Sequence, residues 1–221
     1  NYISVIETTG EKLTGDMHSH LKEYNVTVKE HFKVDSIKKG IIKPIKLSSG
    51  EIIKTKTIII ATGARWRELG VPGEKENLGN GVAYCPHCDG PFFKGKDVAV
   101  VGGGNSGIEA ALDLAGIVNK VTVLEFMSDL KADNILVEKA KEKQNIDILT
   151  NVETSQILSN SGKVSGLEYI ERDSSEKKIV DLEGIFVQIG LVPNSQFLKG
   201  TVDLNDFGEI IVNHLGETSE E

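Results

Sequence analysis

The chain has 221 residues, 39% hydrophobic and 26% charged, with a net charge of −8. That length supplies one large domain or two modest ones, and scattered Lys and Arg among more numerous acids exclude a nucleic-acid partner, which demands clustered basic residues. No apolar run approaches the roughly 20 residues of a membrane helix, and the N-terminus lacks the basic, apolar, small-residue order of a signal sequence. The expectation is a cytoplasmic protein without membrane contact.

Residues 11–24, EKLTGDMHSHLKEY, space Leu13, Met17 and Leu21 four apart, which predicts a helix that buries this stripe in a core. Residues 26–30, 32–37, 41–47 and 51–63 follow as β-rich runs, with SSG at 48–50 as a hairpin turn. The last run carries the apolar residues Ile58–Ala61, as expected of a strand covered on both faces. Residues 65–82 have the proline, glycine and charge content of a surface connection.

From Asp97 the texture changes to strand-helix alternation: DVAVV, then a helix from Ser106 to Asn119, VTVLEF, a second helix over 129–144, and IDILT. In the first helix Ile108, Ala111, Leu112 and Ala115 share one side. Such alternation builds a parallel sheet with right-handed crossovers. VETSQILS, KVSGLEYIER and KKIVDL then predict a three-strand antiparallel meander, GIFVQIG a fully apolar strand, and GETSEE a frayed acidic end.

Gly102, Gly104 and Gly107 form G-x-G-x-x-G between the first of these strands and its helix. In that context the first glycine permits the tight turn, the second lets backbone approach a pyrophosphate, and the third allows close helix-strand packing. The helix start, with Asn105 and Ser106, offers N–H groups and partial positive charge to phosphates. An acid about 20 residues on should accept hydrogen bonds from the adenosine ribose, and Glu125 stands there. Phe126, Met127 and Ser128 behind it bring no arginine to welcome a 2′-phosphate, so the motif predicts NADH over NADPH.

The only cysteines are Cys85 and Cys88. With no second CxxC and no ligand spacing among the histidines, a metal site is not expected. A CxxC pair commonly depresses one thiol's pKa and exchanges with other disulfides; His87 between the thiols and Asp89 beside them are candidates for electrostatic tuning and proton transfer. A nicotinamide gives hydride whereas a disulfide accepts two electrons, and a flavin is the usual intermediary.

The stretches TIIIATGARWRELGVPGE (57–74), YCPHCDGPFFKGK (84–96), VAVVGGGNSGIEAALDLAG (98–116) and GIFVQIGLVPN (184–194) resemble the thioredoxin-reductase-like pyridine nucleotide-disulfide oxidoreductases. Within that group the likeness is greatest to the flavoprotein component of bacterial alkyl hydroperoxide reductases. The resemblance implies an α/β fold: a Rossmann-like NAD-binding domain, parallel sheet plus meander, carrying the CxxC over 81–192. Part of a second, FAD-binding Rossmann-like domain would fill 1–80 and 193–221. It also implies that Cys88 faces FAD, that Cys85 attacks the disulfide of the acceptor, that Asp89 serves proton transfer, and that Ala61, Thr62 and Gly63 border the flavin. Because dithiol and dinucleotide share one domain, the family alternates them at the flavin by rotating it on two linkers, here near Asn80–Gly81 and Gly190–Pro193.

Implied acceptors are a thioredoxin-like domain and a peroxiredoxin, the implied assembly is a homodimer, and the alternative activity is thioredoxin reductase. Relatives open with their own glycine turn for FAD and close with a "GD" segment, and the alkyl hydroperoxide reductase flavoproteins carry a further N-terminal CxxC module. None of these is in this sequence, so the chain is expected to be a truncated portion, with a catalytically silent NADH-binding fragment as the further alternative.

Overall fold

The computed structural model describes residue 3 and residues 5–220, which divide into two compact units: Asn1–Ile60 with Phe197–Asp203 and Ile211–Glu221, and Ala61–Gln196 with Leu204–Ile210. In the first unit, helix α1 (Gly10–Lys22) is capped by the Thr9 side chain, which accepts from the Lys12 amide. Strands β1 (Val34–Ile37), β2 (Lys43–Leu47) and β3 (Ile52–Thr55) form an antiparallel sheet in the order β1-β2-β3. The SSG turn closes β2 onto β3 as expected, with the Gly50 amide donating to the Leu47 carbonyl.

The second unit is organised by a parallel sheet. Its strands are β5 (Val82–Ala83), β6 (Asp97–Val101), β7 (Lys120–Leu124), β8 (Ile146–Leu149) and β12 (Gly184–Val187), ordered β5-β12-β6-β7-β8. Because neighbouring side chains on a strand point to opposite faces, β6 sends Val98 and Val100 into one core and Ala99 and Val101 into another. The first core is closed by helices α3 (Asn105–Ala115) and α4 (Asn134–Lys141), with Ile108, Ala111, Leu114 and Phe186 fully buried. The second is closed by the meander of β9 (Val152–Asn160), β10 (Lys163–Glu171) and β11 (Lys177–Asp181), ordered β11-β10-β9, through Ile157, Val164 and Leu167. Coverage on both faces explains why the central strands β6, β7 and β12 are apolar apart from Asp97, Lys120 and Thr122. The predicted parallel sheet and meander are therefore both present.

Several local expectations are overturned. Residues 26–30 and Ile58–Ala61 form no strand, and Ile59 is 95% exposed. A strand exists only through its neighbours' hydrogen bonds, and no described segment pairs with either run. Leu13 of α1 is half-buried while Met17 and Leu21 are exposed, so the stripe packs into no core. The supposed surface connection 65–82 contains most of β4 (Ala64–Trp66), which pairs antiparallel with β13 (Leu191–Pro193), and it buries Glu74 and Asn77. Helix α4 starts only at Asn134, because the Lys131 and Ala132 amides donate to the Gly103 carbonyl instead. The acidic end is tied down: Ser219 Oγ accepts from the Asp203 amide and Glu220 pairs with Lys39 at 3.5 Å, while Glu221 lies outside the described residues.

Candidate functional site

The glycine turn joins β6 to α3, and its three glycines are demanded for different reasons. At Gly102, with φ +119°, a Cβ would overlap the Gln188 carbonyl; at Gly107 it would overlap the Gly102 carbonyl, so the helix can approach the strand only without a side chain. At Gly104, φ is −81° and a Cβ meets nothing within 4 Å. Nothing in the chain itself requires glycine at 104, whereas a pyrophosphate lying against the backbone does. The turn thus fits the dinucleotide that the motif implies.

Glu125 sits directly after β7 and is 9% exposed. Its Oε2 accepts from the Gly103 amide at 2.5 Å and its Oε1 from the Met127 amide at 2.8 Å. Two acceptor sites of the carboxylate are thereby used to hold the turn, leaving capacity for ribose hydroxyls. Asn105 is committed to Asp133, accepting from its amide at 2.7 Å and donating to its carboxylate at 3.2 Å, which links the starts of α3 and α4. Ser106 is exposed.

The absence of arginine at 126–128 is not the whole of this strand end. Arg172, just past β10, stacks its guanidinium 3.9 Å from the Phe126 ring centre and donates to the Phe126 carbonyl and Asn151 Oδ1. Only the meander's return brings it there, so no local signal announces it.

Cys85 and Cys88 form a disulfide, with Cα atoms 5.3 Å apart. Cys85 caps the short helix α2 (Pro86–Asp89), its Sγ accepting from the Cys88 amide at 3.2 Å; it is half-buried, and Cys88 is exposed. Asp89 is half-buried at the end of α2 and its side chain caps nothing in the following 3₁₀ turn, Gly90–Phe93. A Cβ on Gly90 would come within 3.1 Å of Leu114, so this glycine seats the dithiol segment against α3. His87 Nε2 stands 3.7 Å from Asp113 of α3, and Phe93 packs edge-on to Phe186 in the core at 5.3 Å.

Cys85 and helix α3, which opens from the glycine turn, therefore wall one cleft. A cleft of about 610 Å³ is lined by Cys85 and His87 on one side, Ser106, Glu109 and Asp113 of α3 on the other, with Trp66 and Gln188 completing it. Ala61, Thr62 and Gly63 do not line it. They are exposed and outside any strand, with Gly63 at φ +59° and Asn194 donating through its side chain to the Thr62 carbonyl at 3.0 Å and through its backbone amide to the Gly63 carbonyl at 2.9 Å. The ATG and LVPN stretches thus meet in space. The first unit has its own cavity of about 740 Å³, bordered by Lys38, Lys56, Ile58 and Glu217, which none of the expected site residues lines.

Three residues beside the disulfide carry no local signal in the sequence. Glu74, 1% exposed, accepts from the Leu69 and Gly70 amides at 2.8 Å each and from the Tyr84 hydroxyl at 3.0 Å. Burial first, then this hydrogen bond and the Glu74 charge, push the Tyr84 pKa up to about 12. Gln188 Nε2 donates to the Tyr84 carbonyl at 2.7 Å.

A doubly covered parallel sheet, a nucleotide-type glycine turn and a disulfide docked on the same helix define an oxidoreductase domain of the nucleotide-linked disulfide class. The chain belongs to the pyridine nucleotide-disulphide oxidoreductase family, whose pattern matches residues 3–221. It is 52% identical over 222 residues to the F component of the alkyl hydroperoxide reductase of Pseudomonas putida, covering 99% of this chain and 43% of that protein. It is 51% identical over 219 residues to a Bacillus subtilis NADH dehydrogenase, with the same coverage. Among solved structures, the thioredoxin reductase of T. acidophilum matches with a TM-score of 0.76 and 35% identity over 99% of this chain and 72% of that one. The chain spans less than half the length of the curated relatives it matches.

Proposed function

We propose that this chain is the dithiol- and dinucleotide-bearing part of an NADH-dependent disulfide reductase of the kind that serves alkyl hydroperoxide reductases as their flavoprotein. The observation that carries the reading is the single cleft walled by Cys85 and by Ser106 of the helix that opens from the glycine turn. Gly102, Gly104 and Gly107 with the α3 start receive the pyrophosphate, Glu125 the ribose, and Ala61, Thr62 and Gly63 border the flavin; residues 81–192 form the nucleotide domain, and 1–80 with 193–221 belong to the FAD domain. When bound, NADH supplies hydride and FAD converts it to an electron pair for the disulfide.

The chain's own part is thiol chemistry. The Cys85–Cys88 bond, on gaining two electrons and one proton, opens to a thiol and a thiolate, and Asp89, next to Cys88 in the chain, is the proposed acid for that proton. Cys85 thiolate attacks one sulfur of a thioredoxin-like module's disulfide and expels the other as thiolate, which takes up the Cys88 proton; Cys88 thiolate then attacks Cys85 Sγ of the mixed disulfide, restoring Cys85–Cys88 and releasing the acceptor's dithiol as one thiol and one thiolate. The acceptor passes its electrons to a peroxiredoxin. The working protein is a cytoplasmic homodimer; among the described residues no helix is long and apolar enough to cross a membrane.

The test is thiol counting on purified chain given FAD and NADH. Two thiols per chain are expected with NADH and fewer with NADPH, whereas Cys85→Ser should show one, from Cys88, whether or not NADH is added. NADH binding without thiol release would instead support a silent nucleotide-binding fragment. The likeness to the T. acidophilum thioredoxin reductase favours a second reading, and comparing thioredoxin with a peroxiredoxin-linked module as acceptor separates the two.

A further inference from the structure

Tyr84, the residue immediately before Cys85, is held at three points. Its hydroxyl donates to buried Glu74 at 3.0 Å, its carbonyl accepts from Gln188 Nε2 at 2.7 Å, and its ring lies nearly parallel to Trp66, with centres 6.3 Å apart. Glu74 is itself fixed by the Leu69 and Gly70 amides. Gln188 directly follows β12, and its amide donates to the Val101 carbonyl at 2.8 Å. Its own carbonyl stands where a Cβ on Gly102 would fall. A polar side chain that is 6% exposed thus spans from the glycine turn to the peptide carrying Cys85.

We infer that Gln188 and Glu74 are positioning residues that clamp Tyr84 and thereby set the dithiol-disulfide equilibrium of Cys85–Cys88. Closing the disulfide costs the ordering of the segment from Cys85 to Cys88. A Tyr84 already fixed to the sheet end meets part of that cost in advance and raises the effective concentration of one thiol toward the other. Breaking either contact gives the open dithiol more freedom than the closed ring can gain, so each loss favours reduction. The inference rests on reading Cys85–Cys88 as a redox pair but not on its electron source, so chemical redox buffers keep its failure distinct from failure of the NADH route.

The experiment equilibrates the chain in graded mixtures of reduced and oxidised glutathione, traps thiols by alkylation and reads the dithiol fraction by mass. Gln188→Ala is expected to shift the equilibrium toward dithiol by roughly two- to tenfold, the range of one neutral hydrogen bond, and Tyr84→Phe, which loses a bond to the Glu74 carboxylate, by about tenfold or more. Gln188→Glu, which turns a carboxylate oxygen toward the Tyr84 carbonyl, should shift it at least as far. Tyr84→Phe removes one oxygen and guards against loss of fold in the others, with circular dichroism confirming native structure. Folded Gln188→Ala and Tyr84→Phe proteins that both match the wild-type equilibrium would overturn the clamp, as would a shift toward disulfide.

Discussion

The Gly103 amide donates to Glu125 Oε2 at 2.5 Å, tying the middle of the glycine turn to the end of β7. Glu125 therefore has a structural task that exists before any ribose arrives. Glu125→Gln presents one amide donor where two backbone donors require acceptors, leaving the Gly103 or Met127 amide unpaired in a nearly buried place. The expected cost is about 1–3 kcal/mol of stability, measured by urea unfolding, together with weaker NADH binding by fluorescence titration. Unchanged stability would mean that the carboxylate does not brace the turn.

Gly104 and Gly107 make opposite demands. Gly107→Ala must displace the Gly102 carbonyl, an overpacking that costs roughly 1–3 kcal/mol or more. Gly104→Ala meets only open space at an ordinary φ, so it should lose no more than the ~1 kcal/mol of a poorer N-cap while reducing NADH affinity at least about tenfold, the loss expected when backbone can no longer approach the pyrophosphate. Calorimetric melting and binding titrations on the two variants separate the roles; Gly104→Ala protein that binds NADH normally would remove Gly104 from the site.

Tyr84 predicts an alkaline signature. Its folded pKa of about 12 lies above the ordinary 10.0, so the folded state holds this proton more tightly than the unfolded chain does. That contribution is fully present below about pH 10 and is lost as pH rises from there through about 12. Tyr84→Phe should abolish this part of the decline, seen as a smaller drop in melting temperature across the window. A variant whose profile parallels the wild type there would contradict the assignment.

Phe93 and Phe186 meet edge-on at 5.3 Å, and Gly184 leaves the room that the Phe93 ring occupies. The dithiol segment is thus anchored to the sheet core. Phe186→Ala should cost about 3–5 kcal/mol, measured by denaturant unfolding, and should loosen the segment around Cys88, measured as faster alkylation of the reduced pair. Loss of stability without faster alkylation would show that the anchor is not felt at the cysteines.

Much of the nucleotide unit was legible because its information is local. The largely apolar runs at 98–101, 121–124 and 184–187 are strands wherever both faces are covered, and G-x-G-x-x-G between strand and helix has few conformations open to it. Cys85 and Cys88, three residues apart, form their bond within one turn. What stayed hidden depends on partners distant in the chain. TIIIA looked like a buried strand, yet pairing is a property of two segments and no described neighbour supplies it. GVPGE looked like surface, yet Glu74 is buried because Tyr84 and two backbone amides converge on it.

The sequence by itself determined the alternation, the glycine turn and the proximity of the two thiols, since each follows from spacing along one segment. Tertiary structure alone decided that Gln188 reaches the Tyr84 carbonyl, that Arg172 lies over Phe126, and that Cys85 and Ser106 face one cleft. Those relations join residues far apart in the chain, and only the packing of α3, β12 and the meander on one sheet fixes their distances.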